Sequence, residues 1–167
     1  MTGDTTNIAL YAFRTFGDTV LRAAYSCCGN YTEAEDITQD VFLTLHTKQQ
    51  KFDTDEHLKA WLLRVTINKC RNFKKSFRIS HTRFFEESEE EHISDEDAHT
   101  EISDVRMAVE ALPQKYRSII FLYYYEGYNI REIADIVGKN ENTVSSLLTR
   151  GRKKLRMELE KEELYEN

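Results

Sequence analysis

Pro113 is the only proline in the chain, and on both sides of it apolar residues recur every three or four positions. Proline disrupts a helix interior by about 3 kcal/mol or more. A chain with one proline and six glycines is therefore free to form long helices. No hairpin turn signal and no sustained period-2 alternation competes with that pattern. The expected fold class is all-α.

Charge then divides the chain. Residues 1–60 carry 5 basic and 9 acidic side chains, residues 61–85 carry 7 basic and none acidic, and residues 86–104 carry 10 acidic and none basic. Residues 105–167 carry 11 basic and 10 acidic. The acidic block repels itself and has only Ile93 and Ile102 as large aliphatic residues. It buries too little apolar surface to offset chain entropy, so it reads as a linker. The expected organisation is two small helical domains, residues 1–78 and 105–163, joined by a flexible acidic linker at 79–104.

Three helices are expected in the first domain. One spans about 7–28, with Gly17-Asp18 its weak point. The second opens at Thr32, where Thr32-Glu33-Ala34-Glu35 has the capping-box pattern, and runs to about Lys48. The third runs from about Glu56 to Phe77. At about 100° per residue, His57, Arg64, Asn68, Arg71 and Lys75 fall on one narrow stripe of this third helix. Most of the remaining circumference is apolar, including Leu58, Trp61, Leu62, Leu63 and Ile67, so neighbouring helices should grip it. Solvated faces normally mix signs, whereas residues 61–85 contain no acid. The stripe therefore points to an anionic partner, with Trp61 belonging to the core.

In the second domain Leu112-Pro113 restarts the chain as a helix, with proline at its first position and a stripe of Tyr116, Ile119, Ile120 and Tyr123. Asn129 is expected to cap the next helix with Glu132 three residues on, and Gly138 to end it in the left-handed conformation. Asn140 caps a last helix that buries Val144, Leu147, Leu148, Gly151 and Leu155. Two short-linked helices of this kind form a helix-turn-helix, whose second helix enters the DNA major groove. Away from the buried stripe lie Glu141, Asn142, Ser145, Ser146, Thr149, Arg150 and Lys153. Their hydroxyls, amide and guanidinium can hydrogen-bond base edges. The basic run Arg150 to Arg156 suits phosphate contacts, which give affinity without sequence information.

Other chemistries find little support. Cys27, Cys28 and Cys70 form no CxxC, the five histidines lack metal-ligand spacing, and neither metal nor cofactor is expected. The carboxylates at 86–91 lie on the linker without fixed geometry, and no Gly-rich phosphate loop or nucleophile–base pair accompanies them. No catalytic residue and no enzyme activity are expected. No run approaches the roughly 20 apolar residues of a membrane span, and Met1 to Asn7 lacks the apolar core of a signal peptide. The expected setting is cytoplasmic, without membrane insertion, and the absence of a heptad run suggests a monomer when free.

Residues 32–75 resemble the polymerase-binding and promoter-opening domain of extracytoplasmic-function sigma factors, of the sigma-70 superfamily of bacterial RNA polymerase. The run Glu33-Ala34-Glu35-Asp36-Ile37-Thr38-Gln39-Asp40-Val41-Phe42 is similar to one family helix, and Ala60-Trp61-Leu62 with Arg64 and Asn68 to the next. Residues 112–156 resemble the family's −35-recognition domain. The resemblance implies that Asp36, Gln39 and Asp40 dock on the β′ clamp coiled-coil of core RNA polymerase. It implies that Phe52 and Asn68, with Arg64, Arg71 and Lys75, hold single-stranded −10 bases. Tyr116 to Tyr125 would meet the β flap. The −35 duplex would be met by Arg131, Asn142, Thr143, Ser145, Ser146, Thr149, Arg150 and Lys153, and an anti-sigma factor is a further implied partner. Promoter recognition and transcription initiation at a signal-specific set of genes is the implied function. Leu147 and Gly151 depart from the family's usual arginine and alanine, and Ser145 is shorter than usual, which implies weaker or more shape-based −35 reading. The alternative is a stand-alone helix-turn-helix regulator, which would account for 112–156 alone.

Overall fold

The computed structural model describes the backbone of residues 5–81 and 101–166, and the side chains of 8–72 and 105–161. The expected linker lies mostly outside the described residues. All regular structure among the described residues is helical, as the sequence predicts.

Helix α1 (Thr5–Cys28) runs through Gly17-Asp18 without a break. Glycine in a helix costs about 1 kcal/mol against alanine. Burial of Ala12, Val20, Ala23, Ala24 and Cys27 along one face outweighs that penalty. Gly29, at φ +69°, then ends the helix, its N–H returning to the Tyr25 carbonyl at 2.9 Å. Helix α2 (Tyr31–Lys48) begins before the expected capping box. Its N-cap is Asn30, whose side chain accepts from the Glu33 N–H. An asparagine directly after the left-handed glycine is already extended and well placed to cap, so Thr32 falls inside the first turn. Helix α3 (Asp55–His81) is capped by the Thr54 hydroxyl, which accepts from His57 N–H at 3.1 Å. The three helices bury Val41, Leu45, Leu62, Leu63 and Cys70 between them.

Helix α4 (Glu101–Glu110) leads to Pro113, which stands at the N-cap of α5 (Gln114–Ile120), one residue before its expected place. The chain continues through a π-helical turn at Phe121–Tyr125. Helix α6 (Ile130–Val137) has the expected reciprocal cap: Asn129 accepts from Glu132 N–H, and Glu132 accepts from Asn129 N–H, both at 2.9 Å. Gly138 ends it at φ +68°. Asn140 accepts from Thr143 N–H at 2.7 Å and starts α7 (Glu141–Glu166). Ile133, Val137, Val144 and Leu148 are buried where α6 and α7 cross. At Gly151 a Cβ would lie 3.1 Å from Ile120 Cδ1 and 3.3 Å from Tyr116 Cβ, so glycine permits α7 its close approach to α5.

Candidate nucleic-acid interface

On α2 the buried stripe of Ala34, Ile37, Thr38, Val41, Phe42 and Leu45 turns Asp36, Gln39 and Asp40 outward. All three are exposed. Leu43 is exposed beside them, 60% accessible, four residues after Gln39 and three after Asp40. Helical geometry puts such neighbours on one face. The sequence reading missed Leu43, although it falls off the buried spacing and so carries a detectable signal.

Arg64 and Asn68 on α3 are exposed and share one face, and Lys75 lies on the same helix with its side chain outside the described residues. Arg71 does not stand free. Its guanidinium donates to the Val137 carbonyl of α6 at 2.7 Å. Phe52 is half-buried, its ring edge-on to His57 at 5.2 Å and to Trp61 at 5.6 Å. Trp61 is thus partly packed into the core, as expected, with Phe52 covering it.

In the helix-turn-helix, Arg131, Asn142, Ser145, Ser146, Thr149, Arg150 and Lys153 are exposed, while Thr143 is half-buried. Asn140, Asn142, Thr143, Ser146, Leu147 and Arg150 line a shallow groove of about 340 Å³ at the start of α7. Thr149 donates its hydroxyl to the Ser145 carbonyl at 3.0 Å, which leaves its oxygen lone pairs to accept from a base amino group. Arg150, Arg152, Lys153, Lys154 and Arg156 are all exposed, but Arg152 also donates to the Tyr124 hydroxyl at 2.5 Å and lies 5.1 Å from the Tyr123 ring centre. Lys154 sits 5.9 Å from the Tyr116 ring. Tyr124 and Tyr125 are themselves well exposed. Among the described residues no group of three or more His, Cys, Asp or Glu could hold a metal ion. No described helix is long and apolar enough to cross a membrane.

Comparison with known proteins accounts for both halves. The profile described as "Sigma-70 region 2" matches residues 12–78, and "Sigma-70, region 4" matches 102–155. RNA polymerase sigma factor SigV of Bacillus subtilis is 30% identical over 149 residues, covering 86% of this chain and 86% of the relative. ECF RNA polymerase sigma factor SigW of the same organism is 28% identical over 158 residues, covering 86% and 84%. Among solved structures, sigma factor RpoE of Bartonella quintana, in complex with anti-sigma factor NepR, superposes with a TM-score of 0.74 at 24% identity, over 90% of this chain and 95% of that one. CnrH, in complex with the cytosolic domain of CnrY, gives 0.64 at 23%, over 93% and 89%. A stand-alone regulator would leave the match over 12–78 unaccounted for. With the two conserved sigma regions in order on two packed helical domains, the chain belongs to the sigma-70 family as an RNA polymerase sigma factor of the extracytoplasmic-function type.

Proposed function

We propose how this sigma factor divides its work among its residues. Asp36, Gln39 and Asp40 dock on the β′ clamp coiled-coil, with Leu43 as the apolar centre of that face. An exposed leucine ringed by polar groups fits the dry core and polar rim of a protein interface. Arg64, Asn68, Arg71 and Lys75 line the path of the single-stranded −10 element, and Phe52 offers a ring edge for an unstacked base. Arg131, Asn142, Thr143, Ser145, Ser146, Thr149, Arg150 and Lys153 meet the −35 duplex. Leu147, where the family usually has arginine, gives the groove an apolar lining suited to a thymine methyl. The Tyr116–Tyr125 segment is the β-flap surface, and the domains are residues 1–78 and 105–163.

The observation that carries this reading is the pairing of two faces. Each domain turns an exposed polar face outward from a continuous apolar core, and the faces differ as their partners would. Support for an anti-sigma partner comes from the RpoE structure, which holds the anti-sigma factor NepR. The factor works in the cytoplasm, where its polymerase is, and itself catalyses no reaction. Run-off transcription with purified core polymerase on a promoter library is the test. Enrichment of paired −35 and −10 sequences is the expected result. Transcription that does not depend on the added factor would overturn the reading.

A further inference from the structure

The polar contacts that join the two domains are not scattered. Arg71 of α3, half-buried, donates to the carbonyl of Val137, the last residue of α6. The final carbonyls of a helix lack intrahelical partners and carry the negative end of its dipole, so a guanidinium there acts as a C-terminal cap supplied by the other domain. Lys59, also on α3, pairs at 2.6 Å with Glu126, whose side chain is only 6% accessible. The Lys59 ammonium also lies 5.7 Å from the Tyr128 ring. Arg117 of α5 donates to the Glu110 carbonyl and, across the seam, to the Cys27 carbonyl, each at 3.1 Å. Cys27 Sγ stands 3.1 Å from Ser118 Oγ, with both residues buried. The Arg117 Nε is buried without a hydrogen-bond partner.

We propose that the free factor rests closed, its second domain occupying part of the first domain's cationic strip, and that Lys59–Glu126 and Arg71–Val137 form the latch. In this state Arg71 caps α6 and cannot grip the promoter strand. Loading onto polymerase parts the seam and returns that guanidinium to the DNA. The masking half of the proposal rests on the −10 reading of α3, while the closure itself rests on the seam alone.

The test uses the full chain in four forms: wild type, Lys59→Glu, Glu126→Lys, and the double reversal. Small-angle X-ray scattering reads closure, and binding of a fluorescent single-stranded −10-type oligonucleotide reads masking. Each single reversal places like charges at the latch and should raise the radius of gyration by roughly 3 Å or more over the compact value. The double reversal restores the pair and should return to the wild-type radius. Lys59→Glu should bind the oligonucleotide about fivefold to tenfold more tightly than the double reversal, because apparent affinity scales with the competent fraction. That ordering opposes net charge, which favours the double form. Equal radii in all four forms, or no recovery in the double reversal, would sink the closure. If the radii respond as stated but no form binds the oligonucleotide, the −10 reading falls and masking falls with it. Binding that follows net charge while the radii stay constant leaves the −10 reading standing and overturns the closed state.

Discussion

The two domains reach their surfaces by different routes. The first is built from three long helices of 24, 18 and 27 residues. The second positions its last helix through α-helices of only 7 and 8 residues. Helices that short are marginal on their own, so their ends must be secured. Asn129 with Glu132, Gly138 and Asn140 do this at successive chain reversals. In the first domain a long buried stripe fixes each helix, and a cap matters less. One domain is thus held by packing along its helices, the other largely by chemistry at their ends.

The strongest challenge to this contrast is Asp40→Lys. The side chain is exposed on a helix whose other face is packed, so reversal should leave the melting temperature nearly unchanged. Affinity for core polymerase should fall by about a hundredfold, the scale of a hot-spot loss. Undiminished pull-down of core would show that α2 is not the docking face.

In the second domain, Arg150→Ala should cost about 1–3 kcal/mol at one or two −35 base pairs, as a lost base contact does. Lys153→Ala should weaken binding about equally on every sequence and lower the salt slope by roughly one. Competition binding against single-base variants of a −35 duplex measures both. Uniform losses for both substitutions would mean that α7 reads shape alone.

Paired cap deletions sharpen the contrast further. Asn129→Ala removes half of a reciprocal cap on an 8-residue helix. It should destabilise the second domain by about 1 kcal/mol and also weaken −35 binding. Asn30→Ala removes the side-chain bond that Asn30 accepts from the Glu33 N–H at the start of α2 and should cost a similar or smaller amount without weakening core binding. Equal functional losses would show that end chemistry positions both domains alike.

The smallest effect is in pH. Hydrogen bonding with Cys70 draws the Cys27 thiol down to about 7, against the effect of burial, with help from Ser118, Ser26 and the Arg117 guanidinium. A folded-state pKa below the unfolded value near 8.5 contributes stability present above the unfolded value and lost as pH falls through about 7. Between pH 7 and 8.5 the melting temperature should therefore rise by roughly 2 °C more in wild type than in Cys27→Ser. Ser118 and Arg117 belong to the second domain, so the slope should flatten in Lys59→Glu. Identical slopes in all three proteins would remove Cys27 from the seam's chemistry.

Legibility from sequence follows the same division. Caps and turns are local, so Asn129, Gly138 and Asn140 could be assigned from residues three or four apart. The start of α2 is harder to read, because Thr32 and Asn30 are both good cap residues, and only the extended backbone after Gly29 decides between them. The outward faces of α2 and α7 were readable from periodicity, since exposure is what remains when a stripe is buried. Nothing local announces that Arg71 will meet Val137 or that Lys59 will meet Glu126. Those partners lie 66 and 67 residues apart, and each half of the pair reads as an ordinary surface charge until the domains are brought together.

Gly151 ties two distant positions into one unit of change. An alanine there would be the better helix former by about 1 kcal/mol, yet its methyl would press on Ile120 Cδ1 and on Tyr116 Cβ. The isoleucine tip can swing aside. The tyrosine Cβ is fixed to its backbone and moves only with α5. A chain with this close crossing can accept alanine readily only after the α5 side has made room, so the order in which mutations arrive decides which of them survive.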